Sequence, residues 1–101
     1  MGVHAPPATE QIVRLVTSPN PFVGGTTIGF TLSRADALEL GVYDLSGRLV
    51  RSLHHGPIAA GTHRLEWNGR DDDSRRAAAG VYFVRFDSAE RHLEAKLVKI
   101  Q

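Results

Sequence analysis

Three consecutive aspartates, Asp71-Asp72-Asp73, are the densest group of oxygen ligands in the chain, with Asn68 and Ser74 near enough in sequence to assist them. Calcium needs several oxygens converging from one loop. Here the acids are contiguous rather than alternating and no glutamate closes the segment, so the EF-hand pattern is absent. Arg70, Arg75 and Arg76 flank the cluster with equal and opposite charge, which predicts a self-compensated solvated loop and no metal centre. The histidines are no better placed for metal binding. His54 and His55 are adjacent, so on a strand they point to opposite faces. His63 shares the parity of Leu65 and Trp67 and reads as a rim residue, while His4 lies near the start and His92 opens the last apolar run. A zinc site gathers three or four such groups, and this spacing predicts none. With no cysteine there is no disulfide framework, CxxC pair or thiolate ligand. Ser46, Ser52, Ser74 and Ser88 lack a nucleophile-elbow context, and Gly24-Gly25 is no phosphate loop. The expectation is a protein without catalytic residues, cofactor or metal.

The elements around these residues follow from length and patterning. The chain has 101 residues, enough for one domain with one core, and is 42% hydrophobic with a formal net charge of +1. So small a charge steers neither nucleic acid nor an anionic membrane, and no apolar run reaches the ~20 residues of a spanning helix. Residues 1–10 contain two prolines and no periodicity, and read as a linker or appended tail. They hold no apolar signal core, so an export signal would lie outside this chain. Residues 11–101 read as the folded domain.

Seven short apolar runs are expected as strands: Gln11–Thr17, Thr26–Leu32, Ala37–Asp44, Arg48–Leu53, Thr62–Asn68, Val81–Asp87 and His92–Ile100. They are rich in β-branched and aromatic residues and separated by turn formers, among them Gly56-Pro57 with Gly61, the signature of an all-β, antiparallel immunoglobulin- or fibronectin-III-like sandwich. Alternation assigns the inner faces. Ile28, Phe30 and Leu32 share a side, as do Leu38, Leu40 and Val42, then His63, Leu65 and Trp67, then Tyr82, Val84 and Phe86. Leu49-Val50 and Leu97-Val98 break the alternation, which a bulge or a covered outer face would explain. Tyr43, Val81 and Phe83 fall on the outward parity. They either pack against loops and one another or form an apolar patch that docks a partner.

The turns have physical reasons too. Pro19 and Pro21 bar regular ladder bonding, so Ser18–Phe22 is expected to turn, with Asn20 closing an Asx-type bond. Asp44-Leu45-Ser46-Gly47 is expected to bring Val42 and Leu49 together.

Several segments, in order, resemble one family: Asn20-Pro21-Phe22, Thr26-Thr27-Ile28 with Phe30-Thr31-Leu32, Val42–Arg51, Ala60-Gly61 through Trp67-Asn68-Gly69, Arg70-Asp71-Asp72, Ala79–Phe83 and Lys96-Leu97-Val98-Lys99. The series is similar to the immunoglobulin-like domain of the flagellar hook-capping protein and its wider relatives, among them the C-terminal sorting domains of type IX secretion. It departs from the usual pattern at Val23-Gly24-Gly25, Ser33, Asn68 and Ser74. The resemblance implies a non-catalytic sorting, secretion or surface-attachment module of a larger bacterial protein, secreted or held at the cell surface. Alternatives are a structural assembly module like the hook-capping domain and a carbohydrate-binding accessory domain. The implied partners are secretion or attachment machinery, or neighbouring domains of the parent protein. Nucleic acid and membrane insertion are not expected, and the chain is expected to be a monomer.

On the sorting reading, Lys96, Leu97, Val98, Lys99 and Ile100 carry recognition by strand addition to an exposed edge. Both lysines are placed on the parity opposite Leu97, where charge on an edge strand also opposes unwanted pairing. The resemblance further suggests that the Tyr82 hydroxyl bonds nearby backbone, as in the tyrosine corners of such sandwiches.

Overall fold

A computed structural model describes residues 13–101 and shows seven strands, with no helix among the described residues. They are β1 (Val13–Ser18), β2 (Thr26–Leu32), β3 (Asp36–Asp44), β4 (Leu49–Ile58), β5 (Gly61–Trp67), β6 (Gly80–Ser88) and β7 (His92–Lys99). One sheet has the order β1-β2-β5 and the other β4-β3-β6-β7. All the strand pairings are antiparallel. The expected sandwich is present, and the segment expected as a tail lies outside the described residues.

The alternation works as anticipated because each sheet has one dry face. Ile28, Phe30 and Leu32 of β2 meet Leu38, Leu40 and Val42 of β3, Tyr82, Val84 and Phe86 of β6 and Leu97 of β7 in one buried cluster. Its aromatic rings pack edge to face: Phe30 on Phe86 at 5.7 Å, Trp67 on Tyr82 at 5.2 Å, and Phe22 on Trp67 at 5.7 Å between centroids. Burying each large apolar side chain stabilises by about 1.5–3 kcal/mol before entropy is charged.

Two turns differ from expectation. Gly56-Pro57 does not end a strand; β4 runs on to Ile58, with Pro57 opposite Ala37. A proline is tolerated there because β4 is an edge strand and needs no outward N–H. The Asp44–Gly47 turn pairs Tyr43, not Val42, with Leu49, because the β3–β4 register shifts between Leu40 and Gly41 and again between Val42 and Tyr43. Those bulges resolve the broken alternation at Leu49-Val50: Val50 packs on the core while the Leu49 side chain closes over Gly41 from outside.

The turn itself is held by Asp44. Its Oδ1 accepts from Ser46 N at 2.9 Å, Ser46 Oγ at 2.6 Å and Arg48 N at 3.0 Å. These donors, the Ser46 hydroxyl foremost, hold the Asp44 carboxyl below the ordinary carboxylate range. Gly47 completes the turn at φ 87°, a conformation that a side chain would strain.

Candidate interaction face

The residues read as chemical candidates are occupied with structure. Asp71 Oδ1 accepts from Asp73 N and Arg75 N, both at 2.9 Å, shaping its own loop. Asp72 docks that loop on the β4 edge: its N–H donates to Val50 O at 2.9 Å, and its Oδ1 accepts from Ser52 N at 3.1 Å. Charge compensation differs from expectation, since the ion pair to the cluster comes from Arg51 (Nε to Asp72 Oδ1, 3.8 Å) and Arg70 instead donates to Ser74 O at 2.9 Å. Among the described residues no group of three His, Cys, Asp or Glu side chains is placed to hold a metal ion. His63 is the rim residue its parity suggested: it tilts on Phe30 at 5.4 Å and its Nε2 donates to Ala59 O at 2.7 Å. The Tyr82 hydroxyl donates to Ala78 O at 2.5 Å, the backbone bond that the tyrosine-corner resemblance suggested.

The Asn20 side chain does not close a local Asx turn. It reaches β7, where its Oδ1 accepts from Val98 N at 2.9 Å and its Nδ2 donates to Lys96 O at 2.8 Å. Nor do the prolines keep the segment out of a ladder. Between and beyond them, Phe22 pairs in parallel with β7, donating from its N to Val98 O at 2.9 Å and accepting from Ile100 N at 2.8 Å. Gly24 N then donates to Gln101 O at 2.9 Å. The Asn20–Gly24 segment therefore lies along the outer edge of β7 from Lys96 onward and occupies the groups that an added strand would use.

What β7 offers outward is side chains. Val98 is opposite Val81, Lys96 opposite Phe83, and Phe83 opposite Tyr43, so these residues share the outer face of the four-stranded sheet. Tyr43, Val81, Phe83 and Val98 are half-buried, and Leu49 beside them is 44% exposed. The patch has a charged frame. The Arg85 guanidinium stacks 4.5 Å from the Tyr43 ring centre and pairs through Nε with Glu94 at 3.0 Å. Farther along, His55 pairs with Glu39 at 3.1 Å and His92 with Asp87 at 2.7 Å. Tyr43, Val81, Phe83 and Val98 thus form an apolar stripe inside a polar rim.

Of the recognition residues expected on the last strand, Leu97 and Lys99 point inward. Lys99 stands two residues past Leu97 and so shares its face, which corrects the outward parity expected for both lysines; its residual exposure is 4%. Ile100 is 54% exposed beyond the strand end. Sequence reasoning missed the roles of Asn20, Phe22 and Leu49. An apolar Phe between turn formers was the available signal for the second of these.

Two antiparallel sheets around an enclosed aromatic core define an immunoglobulin-like sandwich. The chain belongs to the FlgD Ig-like domain family, whose profile matches residues 17–91. It is 35% identical over 70 residues to the basal-body rod modification protein FlgD of Salmonella typhimurium, and equally to that of Salmonella typhi. The match covers 68% of this chain but only 28% of either relative. Among solved structures, dimeric latent PorU from Porphyromonas gingivalis superposes with a TM-score of 0.69 at 19% identity, over 91% of this chain and 10% of that one. PorZ, a surface component of the type IX secretion system of the same organism, gives 0.61 at 24% identity, over 86% and 11%. The DNA glycosylase AlkC of Pseudomonas fluorescens gives 0.56 at 19%, over 91% and 31%. These three likenesses show the sandwich, and a fold shared by such different proteins does not fix a function.

Proposed function

We propose that the domain is a non-catalytic docking module of a larger secreted or surface-assembled bacterial protein, and that it works through the outer face of its four-stranded sheet. The observation that carries this reading is the convergence of Tyr43, Val81, Phe83, Lys96 and Val98 on that face, while the adjoining edge of β7 is taken up by Asn20 and Phe22. The family match supports a module role, since the FlgD relatives are several times longer than the part matched here. A sorting role and an assembly role draw on the same surface. A secretion receptor would read Lys96 and Val98 as side chains of the face, and a neighbouring subunit would cover Tyr43 and Phe83. Trp67, the largest ring a sugar platform could use, is 1% exposed and packs in the core.

Phe83→Glu in the full-length parent protein, expressed in its own host, tests the proposal. A charge there should abolish surface delivery or assembly while the isolated domain stays cooperatively folded, at a cost of about 1–3 kcal/mol for the partly buried ring. Val16→Glu, on the opposite sheet at a site 50% exposed, should leave delivery and assembly intact. Unchanged behaviour of the Phe83 variant, or equal loss in both, would remove the face from the function.

A further inference from the structure

Two of the four sheet edges are closed by the chain itself. Asn20 and Phe22 bond along β7, and Asp72 bonds the β4 backbone at Val50 and Ser52, with Pro57 farther along that strand. The edge of β5 is bare. β5 pairs only with β2, in unbroken register from Gly61 to Trp67, and among the described residues no other group bonds its backbone. It has no proline, bulge or lysine, the devices that keep an edge strand from pairing. Thr62, Arg64 and Glu66 stand exposed on its outer side. Leu65 points the other way, toward the core, yet it is only half-buried, whereas its β2 neighbours Ile28 and Phe30 are 0% and 2% exposed. Apolar surface therefore reaches the open side of the sandwich at this edge.

We propose that a second copy of this chain adds to the three-stranded sheet here, β5 against β5, antiparallel about a two-fold axis through Leu65. Charge and side-chain alternation select that register. With Leu65 opposite Leu65 of the partner subunit, Arg64 stands opposite Glu66 of the partner subunit, and by symmetry Glu66 stands opposite the partner's Arg64. A slip of one residue would set outward side chains opposite inward ones. The adjacent registers that keep the faces matched set Arg64 against the partner's Arg64, or Glu66 against the partner's Glu66, and like charges directly opposite repel. The contact is a single strand pair, smaller than the ~1,200 Å² that stable interfaces bury, so a weak, reversible dimer is expected, half-formed near ~0.1 mM. The monomer expected from the sequence is then the dilute form. This contact lies apart from the outer face of the four-stranded sheet and does not rest on its role.

Sedimentation velocity of the chain from about 10 μM to about 1 mM should show the dimer forming with concentration. Arg64→Glu and Glu66→Arg each set like charges opposite one another, twice over by symmetry, and each should weaken the dimer at least about tenfold. Both positions are exposed, and circular dichroism checks that the sandwich persists in each variant. The double variant Arg64→Glu/Glu66→Arg restores opposite charges in the same register and should dimerise as the parent does. So should an equimolar mixture of the two single variants. In a mixture of isotope-labelled and unlabelled parent chains, intermolecular Overhauser contacts should join the Leu65 methyls of the two copies. A parent still monomeric at about 1 mM would overturn the proposal and leave the edge to a strand from another protein. A double variant that stays apart as its single variants do, or intermolecular contacts confined to β1 or to the Tyr43 and Phe83 face, would overturn it as well.

Discussion

Trp67→Ala is expected to destabilise the domain by about 3–5 kcal/mol, a large share of the 5–15 kcal/mol that holds a typical domain folded. The indole is 1% exposed and packs edge to face on both Phe22 and Tyr82, at 5.7 and 5.2 Å. Removing it leaves a cavity between the two sheets that neither ring can fill without losing its own contacts. It also removes the Nε1 donor to Arg70 O at 2.8 Å, which ties the Asn68–Ala79 loop to the core. Trp67→Phe separates the two contributions: it retains much of the apolar contact and leaves Arg70 O without its donor, costing a smaller amount. Urea unfolding followed by far-ultraviolet dichroism reads both variants. A loss below about 1 kcal/mol for the alanine variant would mean that the indole is not shared between the sheets.

Phe22→Ala is expected to cost a comparable amount, about 3–5 kcal/mol, although Phe22 belongs to none of the seven strands. Its ring is 1% exposed against Trp67, and its backbone makes the two bonds that cover β7 at Val98 and Ile100. The ring anchors the segment, so its loss should both open a cavity and loosen the cover. Unfolding at equilibrium gives the stability term. Concentration-dependent sedimentation gives the second, since a bared strand edge invites pairing with another chain. A Phe22→Ala protein as stable as the parent would show the segment to be decoration.

Fold class and strand number were legible in the sequence because period-two alternation is local. Leu38, Leu40 and Val42, or Tyr82, Val84 and Phe86, declare their dry side within five residues. The outward parity of Tyr43, Val81 and Phe83 was equally legible, but their juxtaposition was not, since it depends on how β3, β6 and β7 pair. What stayed hidden was non-local. Asn20 and Lys96 are 76 positions apart, and nothing in a proline-flanked asparagine reveals that it will bond a strand at the far end of the chain. The same is true of Asp72, whose contact with β4 turns an apparent charge cluster into an edge cap. Gly56-Pro57 misled because proline punctuates most strands, and only the edge position of β4 permits it here. Lys99 was expected to face outward although its two-residue spacing from Leu97 puts both on one face, and the buried slot that accepts its stem depends on Gly69, thirty residues earlier in the chain.

Docking through the sheet face, as proposed, goes with a β7 edge that the protein's own chain covers. Native-state amide hydrogen exchange on the wild-type domain measures this directly, residue by residue. The Val98 and Ile100 amides, bonded to Asn20 Oδ1 and Phe22 O, are predicted to be protected to within about tenfold of Leu97, which bonds inward to β6. Exchange of both at the rate of solvent-exposed amides, with Leu97 still protected, would show an open edge and contradict the account.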